Sequence, residues 1–360
     1  MENGELFYIG GYSGKKPYSL YLCRWELNRA EVLESYEIEN ASYVCLSPDR
    51  RYLYAVIETG GYKGQMGGGV AAFAVQEDGR LRFINDGFTG GTSPCYLSVS
   101  RDGQMLYTAN YGSGSTAFFA IRPDGGIGER KKLIPHTDFG PASHAAPGRQ
   151  DGAHAHFITP VCVDGVQTLW ICDLGLDCVI ALDREGSELA RFQTPPGYGP
   201  RHLALHPSLP FAYVVCEMGS AALAIEYGFS EGAVHLKASG AAVSALPEPD
   251  PTSSCAAVRV SPGSRHLLVS NRGARTDSIS VLGLDAEGGL TGLEHTVSAG
   301  GSCPRDIRFD PAGKKLFAAN QDSDTVCVFD WDEETGSLVP TDMRISIQRP
   351  TCVLFKTVTP

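Results

Sequence analysis

One motif recurs six times along the chain: a short apolar strand, a turn marked by Pro, Asp or Gly, and a second apolar strand ending on a polar residue. It reads SYVCLSPDRRYLYAVIE at 42–58, CYLSVSRDGQMLYTANY at 95–111 and HAHFITPVCVDGVQTLWICDL at 154–174. It returns as RHLALHPSLPFAYVVCE at 201–217, AAVRVSPGSRHLLVSNR at 256–272 and RDIRFDPAGKKLFAANQ at 305–321. Aligned on Pro48, Arg101, Pro160, Pro207, Pro262 and Pro311, the copies lie roughly 50 residues apart, a period that signals blades or solenoid repeats. A third strand follows in each copy, as in STAFFAI (115–121) or DTVCVFDW (324–331), and then a weaker fourth. The apolar runs are short, β-branched and broken by Gly and Asp, without a sustained 3.6-residue period, which excludes helical solenoids. Four short strands per unit predict the antiparallel blades of an all-β propeller.

The two ends of the chain set the blade count. PTCVLF (350–355) has the character of a first strand with nothing after it, whereas LFYIGGYSG (6–14) has that of a second strand and YSLYLCRWEL (18–27) that of a third. The C-terminal strand is therefore expected to join the N-terminal blade. Six complete repeats and one shared blade make seven, closing the ring and removing exposed sheet edges. A closed all-β architecture of this kind accommodates residues 1–360 as a single domain.

Composition narrows the class of partner. A net charge of −11 argues against nucleic acid or an anionic membrane as the main partner, since both call for basic patches, but it leaves room for a local basic pocket. The 11 cysteines are odd in number, lack any C-x-x-C pair and sit mostly inside apolar runs, as buried reduced thiols do in a cytosolic protein. The N-terminal MENGELFYIGG shows no signal-peptide pattern and no segment has the length of a membrane span. The expectation is a cytoplasmic protein, a monomer or a weak homo-oligomer, acting on a small molecule.

In a propeller the first strand of each blade lines the central channel and the second runs back beside it. The start of one and the end of the other thus meet at the same face. Six residues before each aligned turn position stand Ser42, Cys95, His154, Arg201, Ala256 and Arg305, with Thr351 in the shared blade. At the ends of the second strands stand Glu58, Tyr111, Leu174, Glu217, Arg272, Gln321 and Gly11. A repeat that is otherwise apolar collects one His, three Arg and two Glu around one opening. Individually such residues can tie blades together. As a set, the guanidiniums repel one another unless an anion joins them, and Arg is suited to bidentate binding of carboxylate or phosphate.

RQDGAHAHF (149–157), GYGPRHLALHP (197–207), VVCEMGS (214–220), SPGSRHLLVSNRG (261–273) and CPRDIRFDPAGKKLFAANQ (303–321) together resemble the seven-bladed lactonase family. That family includes propeller-type 6-phosphogluconolactonases and the fungal carboxymuconate cyclase, and the resemblance runs over essentially the whole chain. It implies an active-site set of His154, Arg201, Glu217 and Arg272. The family fold it implies is the seven-bladed propeller already read from the repeat.

Lactone hydrolysis suits these residue types: a base to activate water, and positive charge where the oxyanion develops. His154 is assigned as the base with Glu217 orienting it or sharing that role. Arg201 and Arg272 are assigned to the oxyanion or an acidic group, and Arg305 to a substrate phosphate. Gln321, Arg149, Gln150 and Glu58 are further expected substrate contacts. His156, two residues along, is expected to pack or line the channel. The substrate is expected to be an anionic sugar-acid lactone of the pentose phosphate pathway, with no cofactor and no metal. A metal held by His154 and His156 needs a third ligand, Asp151 or His144. A Ser–His–acid triad lacks its G-x-S-x-G elbow. Two alternatives stand beside hydrolysis: lactonisation of carboxy-cis,cis-muconate, and a non-catalytic binding scaffold.

Overall fold

Seven four-stranded antiparallel sheets stand around a central channel in the computed structural model, which describes residues 4–26, 29–273 and 277–357. Six blades follow the chain, their first strands being Val44–Leu46, Pro94–Val99, Ala155–Val163, Pro200–Leu205, Ser254–Val260 and Pro304–Phe309. In each, the remaining strands step outward in chain order. The fourth blade gains a short extra strand, Val243–Ser244, on its third strand. The seventh blade combines both ends: Pro350–Phe355 pairs antiparallel with Glu5–Gly11, followed by Tyr18–Glu26 and Arg29–Glu37. Leu27 of the expected third strand lies outside the described residues.

A blade is apolar on both faces because it is sandwiched between two others. This is why its second and third strands read as continuous runs rather than alternating ones. Leu53–Ile57 and Leu169–Asp173, for instance, are buried at every position. Seven clusters of buried side chains result, one at each interface between neighbouring blades. At the closure Phe7 stacks on Phe355 with ring centroids 5.2 Å apart, and Phe317 of the sixth blade packs its ring against both. Thr351 adds a polar tie, its hydroxyl donating to the carbonyls of Ser42 (2.8 Å) and Gly10 (3.3 Å).

The aligned turns hold in five blades and fail in one. Ser47, Ser100, His206, Ser261 and Asp310, each just before the aligned position, donate their amides to Tyr52, Met105, Phe211, His266 and Lys315 across the turn. Pro160 is not in a turn at all. It lies inside its strand opposite Leu169, and the hairpin closes four residues later at Asp164–Gly165, both with positive φ. That Asp-Gly pair is a type I′ signature. Pro160 is tolerated within the strand because an innermost strand has a partner on one side only, leaving a position with no ladder bond for its missing N–H to make. In the third blade the position equivalent to the other turn residues is therefore Cys162, two residues after Pro160.

Candidate active site

The seven blades fix the register of the site through one repeated backbone bond. The amides of Tyr12, Glu58, Tyr111, Leu174, Glu217 and Gln321 donate to the carbonyls of Arg349, Asn40, Ser93, His154, Gly199 and Cys303. In the fifth blade, Arg272 pairs with Ser254 in the same place. Two residues beyond each acceptor the inner strand presents a side chain to the channel: Thr351, Ser42, Cys95, His156, Arg201, Ala256 and Arg305. In six of the blades that residue is skipped by the ladder, as where Pro200 pairs with Cys216 and His202 with Val215, leaving Arg201 unpaired in a bulge. A bulge re-aims the side chain it carries. The inner ring therefore holds His156 in place of the expected His154, and the second ring holds Tyr12 in place of Gly11.

A cavity of about 700 Å³ opens at this face, and Tyr12, Glu58, Cys95, Tyr111, Arg149, His156, Glu217, Arg272, Asp277, Cys303, Arg305 and Asp322 are among the residues lining it. Glu217 is its electrostatic centre. Its Oε2 accepts from Arg201 Nε at 2.9 Å and meets Arg272 Nη2 at 3.0 Å, while its Oε1 accepts from Arg149 Nη2. Burial would raise the pKa of this carboxyl, but Arg272 and Arg201, with His156 and Arg149 adding to them, hold it well below the usual carboxylate range. Arg201 lies one layer deeper, fully enclosed, and also donates to the Ala256 carbonyl at 2.8 Å. Burial, reinforced by Arg272 and only partly offset by Glu217, draws its pKa down to about 10.

His156 faces this cavity at 5% exposure, and its Nδ1 has no hydrogen-bond partner within the protein. Burial, with Arg201 as the next cause, keeps its pKa well below that of an ordinary histidine, so the ring is neutral. His154 sits behind the wall. Its Nδ1 donates to the Tyr111 carbonyl at 2.9 Å, its amide donates to Asp173, and its ring stacks on Tyr111 at 4.6 Å. Tyr111 in turn meets the edge of His156 at 5.5 Å. The two histidines are thus brought close, but with their expected places exchanged: His156 lines the cavity and His154 buttresses a residue that does.

The remaining expected contacts separate in the same way. Arg305 lines the cavity over the Tyr12 ring, 5.3 Å from its centroid, with a long contact of 3.4 Å to Gln321 Oε1. Burial works against its charge, but the nearby Tyr12 and Glu58 keep it firmly protonated. Glu58 takes hydroxyl donors on both oxygens, from Tyr12 (2.9 Å) and from Ser42. Gln321 stands behind Arg305 and bonds Asp322. Gln150 does not reach the cavity. It is fully buried in the loop that carries Arg149, donating to the Leu174 carbonyl at 2.7 Å and accepting from the Ala146 amide. Asp151, a possible third metal ligand, instead accepts the Gly148 amide.

Sequence reasoning placed Tyr111 in the second ring without a role, and missed Tyr12, Asp277 and Cys303. Tyr12 follows Gly11 by one residue, and the signal that would have found it is the closing-blade register. The Gly-rich insert after Glu58 folds into a small hairpin, Gly61–Tyr62 with Gln65–Met66, and contributes none of the cavity residues named above.

A family model described as "Lactonase, 7-bladed beta-propeller" matches residues 6–355. The chain is 31% identical over 361 residues to a 6-phosphogluconolactonase of Bacillus subtilis, covering 97% of both chains. It is 29% identical to a 6-phosphogluconolactonase of Formosa agariphila, covering 92% of this chain and 94% of the other. The solved structure of a periplasmic gluconolactonase from Pseudomonas aeruginosa superimposes with a TM-score of 0.87 at 28% identity, covering 98% and 99% of the two chains.

Proposed function

The chain belongs to the seven-bladed β-propeller lactonase family, and from that premise we propose that it hydrolyses the lactone of a phosphorylated sugar acid, of the 6-phosphogluconolactone type. The observation that carries the reading is the pairing, in one cavity, of a neutral histidine with guanidiniums around a carboxylate that stays charged. Glu217 is too well compensated to take a proton at neutral pH. His156 is the base that remains.

In the reaction we infer, water attacks the lactone carbonyl carbon as His156 accepts its proton. The carbonyl π pair moves onto oxygen, where Arg272 meets the developing charge. The ring C–O bond then breaks and the departing alkoxide takes the proton from the imidazolium, restoring neutral His156. Arg201 acts through Glu217 as a positioning residue, since it lies beneath the cavity floor. Arg149, on the exposed loop, reaches the same carboxylate from above and holds it in place as a second positioning residue.

The test is hydrolysis of 6-phosphogluconolactone, measured against its spontaneous rate. Unphosphorylated gluconolactone and carboxymuconate cyclisation are run beside it. Acceleration of the phosphorylated lactone above the other two supports the reading. Turnover of carboxymuconate alone, or none of the three, overturns it.

A further inference from the structure

Two arginines at one side of the cavity differ from the rest in having no carboxylate. Arg305 projects from the inner ring and lines the cavity, Arg349 is an exposed residue just before the closing strand and outside that lining, and the two guanidinium carbons lie 5.3 and 5.0 Å from the centroid of the same ring, Tyr12, itself a cavity residue. Among the described residues neither forms an ion pair, whereas Arg149, Arg201 and Arg272 all converge on Glu217. Glu58 favours the charged form of Arg305 through space, but neither it nor the other acidic groups nearby forms an ion pair with either arginine; they accept from other donors. Glu58 takes the hydroxyls of Tyr12 and Ser42, Asp322 takes the Gln321 amide nitrogen, and Asp324 takes the backbone amide of Arg349 at 2.9 Å. Two guanidiniums that meet one aromatic ring without a bonded carboxylate keep their N–H donors available to an anion.

The backbone of Arg349 is held on both sides. Its amide is fixed by Asp324 and its carbonyl accepts from Tyr12 at 3.0 Å, with φ at 42°. It is the closing-blade counterpart of Asn40, Ser93, His154, Gly199, Ser254 and Cys303, of which the last two line the cavity. The side chain is exposed, so it reaches a ligand without disturbing the core.

We propose that Arg305 and Arg349, flanking Tyr12, form the subsite for the substrate's phosphoryl group, with Arg349 as the residue that determines preference for a phosphorylated over an unphosphorylated lactone. This rests on the hydrolytic reading above and assigns an end of the substrate to one side of the cavity. Phosphate there leaves the lactone ring directed across the cavity toward His156 and Arg272.

The experiment compares steady-state hydrolysis of 6-phosphogluconolactone and gluconolactone by the wild-type protein and by Arg349→Gln, and measures inhibition of each by inorganic phosphate. The expected result is a preference for the phosphorylated lactone in kcat/KM that falls about tenfold in Arg349→Gln, chiefly through KM, with a parallel weakening of phosphate inhibition. If the wild-type protein prefers the phosphorylated lactone and Arg349→Gln keeps that preference, the subsite assignment fails while the hydrolytic reading stands. An equal loss on both substrates also overturns the assignment. A wild-type protein that hydrolyses both lactones equally overturns the phosphorylated substrate itself, and the subsite with it.

Discussion

Arg201 Nε donates to Glu217 Oε2 at 2.9 Å, and both side chains are almost wholly enclosed. Removing one member of a buried ion pair costs about 3–5 kcal/mol, because the survivor keeps its charge and loses its compensation. Glu217→Gln leaves Arg201, Arg272 and Arg149 facing one another without the carboxylate. We expect it to lower unfolding free energy by about that amount and to abolish activity. Urea denaturation reads the first, and lactone hydrolysis at a temperature where the variant is still folded reads the second. A variant of unchanged stability would show that the guanidiniums find other partners.

His156→Gln is expected to lower kcat by about 10²–10⁴, the usual range for losing a general base. His154→Gln should cost less and act by loosening Tyr111, so its loss should be mimicked by Tyr111→Leu. Comparing kcat and KM across the three variants separates proton transfer from support. The opposite order, with His154 the more damaging site, would return the base to the residue first expected.

The acid side of the pH profile follows from two buried histidines. Burial, with Arg201 as the next cause, keeps both His156 and His202 neutral in the folded protein well below pH 6.5, while the unfolded chain protonates them near that value. A folded pKa below the unfolded one means that unfolding takes up protons, so stability falls as pH drops below about 6.5. Each histidine contributes a slope of about 1.4 kcal/mol per pH unit there. Glu217 works over a different window. Its folded pKa is depressed, so its contribution is complete above the unfolded carboxyl value of about 4.3, is lost progressively as pH falls below that, and is exhausted only far below it. Chemical denaturation between pH 5 and 8 checks this, and His202→Gln should flatten the slope without removing it, since His156 and His206, whose pKa burial also lowers, still contribute. Activity should persist below pH 6.5 wherever the fold does, since the base is still unprotonated.

Removing Pro350–Phe355 strips the inner strand from the closing blade and exposes the Glu5–Gly11 edge. It also takes Phe355 from the stack with Phe7 and Phe317. An unpaired apolar edge templates association with other chains. Truncation after Arg349 should therefore give aggregated protein, measured as loss of the soluble fraction on size-exclusion chromatography. A soluble, monomeric truncation would mean that the ring holds without its closing strand.

The blade count and the closure were legible because they depend on features that a sequence records directly: the spacing of strands and the split repeat. The site was legible as a set of rings, and Arg201, Glu217, Arg272 and Arg305 fall where the repeat places them. The placement of His154 in the inner ring rests on reading Pro160 as a turn residue. In four other blades a residue with positive φ stands eight positions after the inner-ring residue, at Arg50, Gly103, Ser264 and Gly313. In the third blade that residue is Asp164, which leads back to His156. The Asp-Gly pair was the better marker, and the proline was the more conspicuous. Gln150 was misjudged for a different reason: an amide in an irregular loop can bond inward or outward, and no strand period says which.

The inner-ring bulges have a consequence for how such a protein changes its chemistry. A residue skipped by the ladder contributes no cross-strand bond of its own register, so exchanging it leaves the sheet beside it intact. Six of the seven ring positions are of this kind, and the ring already carries Thr, Ser, Cys, His, Ala and Arg on one repeated backbone. The strand register is thereby uncoupled from the identity of the ring side chain, although Arg201 also carries stability through its ion pair with Glu217. New substrates are reached by swapping ring side chains one at a time, while the interfaces between blades, which carry the stability, stay as they are.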